Sequence, residues 1–329
     1  MRRITGAVLL AVALLACQPA FAADKIKMSV SVLAGAFSMY FLGIDRGFFA
    51  EEGLDVEIIQ AAGPQATTAL ISGDLQFNGS GGAAVGAILR GAALKVVMVS
   101  NDQPPYQLWS GDDKIRALSD IAGGKRVGVI STGDTHEFAV RLLLMSQGMD
   151  PKTVIFTPVG PGAGRMAGLL SGALNAASLT MDEVQQIKND PKLHMVMDTS
   201  KYVKMINGGM ATSDKMLGPD RATAKRFMRA LIKGRRYAGA FEKEAVDSVQ
   251  KRNTVMSREA LVDGFRISQA GATKDGTIPL ATQNLEIRLR AEQLNLAADK
   301  IPGPEKVFDF SVLEEVNREL DSQGWKPTR

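Results

Sequence analysis

From Lys27 the chain alternates apolar and polar positions, with Met28, Val30 and Val32 on one side, which predicts a strand. A turn rich in Gly, Ala and Ser over 33–38 leads into a helical pattern over 39–49. Glu51, Glu52 and Gly53 close that helix on a glycine, and Val56 to Ile59 reads as the next strand. Gly63-Pro64 breaks it, and a helix over about 65–72 runs into the stretch LISGDLQFNGSGGAA at 70–84. A further helix over 83–90 and a buried strand over 95–100 complete this part.

The same succession then recurs. A turn at 120–125 delivers a strand over 126–130, the polar turn STGDT follows at 131–135, and a helix is predicted over about 136–146. Gly148 stands where Gly53 stood, and LLSGALNAASLTMD at 169–182 echoes the stretch at 70–84. In both copies an apolar helix end meets Ser-Gly, at Gly73 and Gly172, where glycine takes the left-handed conformation that ends a helix. A short apolar strand follows, then small and hydroxyl residues that open a new helix. The distance between the two glycine landmarks is longer in the second copy, so an insertion falls around 159–162.

Alternating strands and helices with glycine-rich turns predict two α/β lobes. The prolines at 104–105 extend the chain toward Trp109, and 207–212 is a second extended stretch. Two such crossings suit a hinge between lobes. The division expected is 23–109 for the first part of lobe I, 110–207 for lobe II, and 208–329 for the rest of lobe I. That last part reads as mainly helical, over 220–244, 257–268, 283–296 and 310–320, and is expected to pack on lobe I. Its basic cluster, Lys225, Arg226, Arg229, Lys233, Arg235 and Arg236, reads as a solvated helix face.

Composition changes the picture at the N-terminus. Residues 1–22 carry Arg2 and Arg3, an apolar run over 8–16 and Ala20-Phe21-Ala22, the pattern of a secretory signal peptide. Two processing routes fit: cleavage after Ala22, or acylation of Cys17 within LLAC at 14–17, which would anchor the protein to a membrane. Cys17 is the only cysteine among 329 residues, so no disulfide holds the fold, and 45% hydrophobic residues must supply its core. With Arg2 and Arg3 set aside, 37 basic side chains face 35 acidic ones. That balance points away from a nucleic-acid partner.

The sequence has no Gly-x-Ser-x-Gly elbow and no P-loop, and its two histidines, His136 and His194, lie on unrelated elements. Neither catalysis nor a metal is expected, and no cofactor. What recurs instead is a set of polar turns at the ends of strands, where open α/β sheets hold ligands. The candidate ligand-binding residues are Phe37 and Ser38; Asn78, Ser80 and Gly81; Ser131, Thr132 and Thr135; and Thr180 with Asp182. Singly, each hydroxyl is equally a helix cap. Together, four related turns facing one cleft point to a small-molecule site, with Tyr40, Tyr106 and Trp109 as apolar walls. His136 reads as a cleft-lining or capping side chain, and Arg165 is the one arginine near a cleft turn.

The segments GFFAEEGLDV at 47–56, ALISGDLQF at 69–77, DIAGGKRVGV at 120–129 and STGDTH at 131–136 carry a resemblance across the mature chain. The chain resembles the periplasmic solute-binding proteins of ABC importers, type II fold, in the nitrate/sulfonate/taurine and thiamine-pyrimidine-precursor group. The resemblance implies a periplasmic, monomeric clamp of two lobes, each a mixed sheet flanked by helices and joined by two crossings. Such a clamp closes over one small organic or anionic solute and presents it to a membrane permease. A solute-loaded sensor serving a membrane receptor would share these features. A pyrimidine-making enzyme also resembles such clamps, but it depends on a cysteine-rich motif absent here.

Overall fold

The structure, a computed structural model, describes residues 23–329, apart from the Asp182 side chain. The signal peptide expected over 1–22, with Cys17, lies outside the described residues. Among the described residues ten strands form two sheets: β1 (Asp24–Val30), β2 (Leu54–Gln60), β3 (Phe77–Asn78), β4 (Leu94–Met98), β5 (Tyr106–Ser110), β6 (Lys125–Val129), β7 (Val154–Pro158), β8 (Ala176–Thr180), β9 (His194–Asp198) and β10 (Met210–Ser213).

The first sheet runs β2-β1-β3-β10-β4 and the second β7-β6-β8-β5-β9. In the first, β1 pairs in parallel with β2 and β3, while β10 is antiparallel to β3 and β4. In the second, β6 pairs in parallel with β7 and β8, while β5 is antiparallel to β8 and β9. The two orders superpose strand for strand, so the repeat read in the sequence is a repeat of topology. Gly53 and Gly148, with φ of 67° and 72°, and Gly73 and Gly172, with φ of 88° and 73°, all take the left-handed conformation that the repeat assigned to helix ends.

In each sheet the antiparallel member is the strand that has just crossed from the other lobe. This corrects the expected boundary at 109/110. Residues 106–109 were expected to end lobe I, but they pair within β5 inside the second sheet. Its successive residues Leu108 and Trp109 fall in different core clusters, as the two faces of a strand require. Trp109 is therefore core, its indole N–H bound to Gln107 Oε1 at 2.9 Å, and is no cleft wall. The crossings proper lie just before β5 and β10, where Asn207 N donates to the Asn101 carbonyl at 2.8 Å and Met205 N to that of Asp102 at 3.1 Å.

After β10 the chain is helical, as expected. The helix Arg221–Ala240 lays Phe227 on Phe77, the rings 3.8 Å apart and nearly parallel. Its basic face is a network of ion pairs, which corrects the solvated reading. Arg229 meets Glu52 at 2.7 Å and Glu319 at 2.9 Å, and Lys225 meets Glu315 at 2.6 Å. Arg235 is turned inward and donates to the Thr273 carbonyl. The helix Leu280–Gln293 joins both lobes: Ile287 packs in a lobe I core, Leu289 packs against a lobe II core, and the Arg290 guanidinium lies 3.4 Å from the centroid of Phe138. Among the described residues no helix is long and apolar enough to cross a membrane.

Candidate functional site

The turns that follow β1, β3, β6 and β8 meet between the lobes around a cavity of about 100 Å³. Lobe I supplies Phe37, Tyr40 and Ser80, and the helix Arg258–Ala270 adds Gly264, Ile267 and Ser268. Lobe II supplies Ile130, Asp134, Thr135, His136 and Thr180. The crossings supply Ser100, Asn207 and Gly209, with Tyr106 at the start of β5. The helix Arg258–Ala270 also packs on the lobe II helix Met181–Ile187, so the lobes are closed over the cavity.

Of the residues expected from sequence, Phe37, Ser80, Thr135 and Thr180 line this cavity. The others do not. Asn78 is fully buried and spent on the scaffold: its Oδ1 accepts from Ser29 Oγ at 3.2 Å and from Ser80 N at 2.8 Å, and its Nδ2 donates to Thr67 Oγ1 at 3.1 Å. Gly81 donates its backbone N–H to Gly209 O at 3.3 Å. Ser38 lines an adjoining pocket with Arg235 that shares Ala36, Met39, Ser100 and Ser268 with this cavity, and Thr132 lines a groove, walled by both lobes, with Arg141 and Arg290. Ser131 has a buried hydroxyl without a hydrogen-bond partner, outside the cavity lining. Asp182 belongs to the start of its helix, and its side chain lies outside the described residues.

A polar cluster forms the lobe II wall. Tyr106 donates its hydroxyl to Asn207 Oδ1 at 2.6 Å, and Thr135 Oγ1 lies 3.1 Å from the same phenol oxygen. Because the Tyr106 proton goes to Asn207, the Thr135 hydroxyl is the donor in that second contact. The Tyr106 ring stacks on His136 with centroids 4.0 Å apart. Burial pushes the Tyr106 phenol above its ordinary range, so it stays protonated.

Behind His136 lies Arg165, fully buried. Its Nη1 donates to the Ser178 carbonyl and lies 3.0 Å from His136 Nδ1, and its Nη2 is 2.5 Å from Glu183 Oε1. Burial first, and the Arg165 charge second, hold the imidazole well below its usual range, so His136 is neutral. Room for Glu183 is made by Gly162, where a Cβ would stand 2.6 Å from Glu183 Oε1.

The lobe II helix starts around the cavity are closed by the chain itself. Asp134 accepts from Glu137 N at 2.8 Å and from Ser131 N at 2.7 Å, and Glu137 Oε2 accepts from Gly133 N at 2.8 Å. Thr180 and Glu183 form a capping box, with Thr180 N donating to Glu183 Oε2 at 2.8 Å. Open N–H groups were expected at the helix starts of both copies; in lobe II the acidic caps occupy them, whereas in lobe I the helices Ser38–Asp45, Gly63–Ser72 and Gly81–Ile88 carry no side-chain cap. His136 was foreseen as a cleft residue, whereas Asn207 and Ser268 were missed, since they reach the cavity through the crossing and a remote helix. His194 is structural, its Nε2 bonded to Ile115 O at 2.7 Å. Among the described residues no three His, Cys, Asp or Glu side chains group as metal ligands.

Solved structures of the same fold place this cavity in context. The periplasmic aliphatic sulphonate binding protein SsuA from Escherichia coli matches with a TM-score of 0.70 at 13% identity, over 88% of this chain and 93% of that one. The periplasmic nitrate-binding protein NrtA from Synechocystis PCC 6803 matches with a TM-score of 0.70 at 14% identity, over 92% of this chain and 90% of that one. The ligand-binding component of an ABC-type import system from Staphylococcus aureus matches with a TM-score of 0.72 at 15% identity, over 90% and 99%. These likenesses show the two-lobed periplasmic binding fold. No curated protein matches the sequence. The family model described as NMT1/THI5 like matches residues 35–245, more than half of the chain, and with the twinned lobes around one cleft this shows that the chain belongs to the NMT1/THI5-like family.

Proposed function

We propose that this chain is an extracytoplasmic solute-binding protein, exported by residues 1–22, that captures a small solute between its lobes and delivers it to the permease of an ABC importer. The observation that carries this reading is the cavity itself, walled by corresponding strand-end turns of both lobes and spanned by only two crossings. A solute touching both walls binds the closed form better than the open one and so drives closure. Phe37, Ser80, Thr135 and Thr180 are the contact residues expected from sequence, joined by Tyr106, His136 and Asn207. The solved relatives named as sulphonate-binding, nitrate-binding and import components support the transport reading. The division into lobes runs through the crossings, with 106–206 as lobe II. The mature chain acts as a monomer, freed by cleavage after Ala22 or anchored through Cys17.

We read the site as a binder and not a catalyst. The one histidine in the cavity has an arginine, and no carboxylate, on its Nδ1, so it lacks the partner that makes a general base. The test is a thermal-shift screen of the mature chain against sulfonates, nitrate, pyrimidines, amino acids, aromatic acids and their uncharged analogues. One class should raise the melting temperature in a dose-dependent way, because a solute that binds only the folded state stabilises it. Ser80→Ala and Thr135→Ala, one in each lobe, should both weaken the shift. No response across the panel would sink the proposal.

A further inference from the structure

We infer that the solute carries an anionic group, and that this group docks beside the interlobe cavity, in the adjoining pocket of lobe I, against the guanidinium of Arg235. This rests on the clamp reading above and gives it a ligand class. Every other arginine and lysine of the helix Arg221–Ala240 is paired with a carboxylate, as Arg229 is with Glu52 and Arg236 with Asp321, at 2.7 Å each. Arg235 is partly buried, yet among the described residues it has no carboxylate in ion-pair range. Its Nη2 donates to the Thr273 carbonyl, and to Thr273 Oγ1 at 3.2 Å, while Nε and Nη1 make no hydrogen bond within the described chain. Asp275, whose charge reaches it from further off, accepts from Thr277 N and Oγ1 instead. Burial holds the guanidinium below its usual range, as expected of a charge drawn from water without a counter-ion.

The pocket that Arg235 lines holds about 210 Å³ and shares Ala36, Met39, Ser100 and Ser268 with the cavity, so one solute can reach from the cavity into it. Arg236 and Lys274 add positive charge to its lining, and among the described residues no aspartate or glutamate lines it. The helix Ser38–Asp45 begins here without a side-chain cap and adds the positive end of its dipole. The lobe II wall of the cavity is the opposite. It presents the carboxylate of Asp134 beside the uncharged Tyr106 and His136. This difference in charge between the two ends orients the solute, with its anionic end on Arg235 and an uncharged body between Phe37 and Tyr40 on one side and Tyr106 on the other. Carboxylates and sulfonates both offer the charged oxygens to which a guanidinium donates.

Titration calorimetry on the mature chain tests this with matched pairs: benzoate and benzamide, benzenesulfonate and benzenesulfonamide, hexanoate and hexanamide. At least one anion should bind, and about tenfold or more tighter than its amide. In Arg235→Gln that preference should fall below about threefold, whereas Arg229→Gln, which removes the same charge from the same helix, should leave it within about twofold. Lys274→Glu reverses a charge on an exposed side chain of the pocket and should cut the preference by about threefold or more, which keeps the placement testable if Arg235→Gln does not fold. An amide that binds as well as its anion overturns the inference and leaves the clamp standing. So does an anion preference that survives in Arg235→Gln, or in Lys274→Glu where Arg235→Gln does not fold. Silence of every pair overturns the inference too, and the clamp falls with it only if the wider solute screen is also silent.

Discussion

Replacing Arg165 with methionine isolates the interaction that holds the binding wall in place. The Arg165 side chain is 0% exposed and Glu183 6%, with the charged atoms 2.5 Å apart. In Arg165→Met the Glu183 carboxylate keeps its charge without its counter-ion, and the Ser178 carbonyl loses a donor. Breaking a buried pair from one side costs about 3–5 kcal/mol. The surface counterpart is Lys215→Met, in which a 74% exposed side chain leaves a 38% exposed Asp220, and about 1 kcal/mol or less is expected there. Urea unfolding of both variants, read as midpoint and slope, gives the two losses. Adding Glu183→Gln to Arg165→Met removes the stranded charge while the amide still completes the capping box, so more than half of the loss should return. An Arg165→Met cost below about 1 kcal/mol, or strict additivity in the double variant, would refute the view of this pair as a matched buried unit.

The repeat was legible because it rests on local chemistry. Glycines at 53, 73, 148 and 172 must take positive φ to end helices, and that requirement is written into each position. The partner of a strand is not local. The stretch over 106–109 looks extended from its prolines, yet only pairing with residues some seventy positions away places it in lobe II. The site residues divide in the same way. Ser80, Thr135 and Thr180 were found because hydroxyls at strand ends either cap or face a ligand. Asn78 has the same signature but is consumed by Ser29 and Thr67, neighbours the sequence does not reveal. The closed helix starts depended on Glu183 and Glu137 folding back, which fits a capping pattern equally well as a ligand-binding one.

Further expectations follow from the same contacts. At Gly209 the backbone has φ of 125°, and a Cβ would stand 2.2 Å from the Met98 carbonyl oxygen, so Gly209→Ala should cost well over about 1 kcal/mol in urea unfolding. By contrast Gly86→Ala, helical with open space around it, should gain about 0.5–1 kcal/mol. His136 binds its proton less readily folded than unfolded, so its contribution is present above the unfolded value near 6.5 and is lost as pH falls below it. Unfolding at pH 5, 6 and 7 should show a slope of up to about 1.4 kcal/mol per pH unit that His136→Gln removes, and equal slopes would contradict the buried neutral imidazole. Tyr106→Phe deletes the hydrogen bond to Asn207 and should cost about 1 kcal/mol of stability together with solute affinity, measured by titration calorimetry.

The central claim is that two lobes close over a solute, and a distance between lobes tests it most directly. The chain from residue 23 onward has no cysteine, so Glu57→Cys in lobe I and Lys192→Cys in lobe II, both exposed, can carry a fluorophore pair alone. Single-molecule energy transfer should show exchange between a long and a short distance in the free protein. Saturation with a solute that raises the melting temperature should collapse this to the short distance. Binding that leaves the distribution unchanged would contradict the clamp.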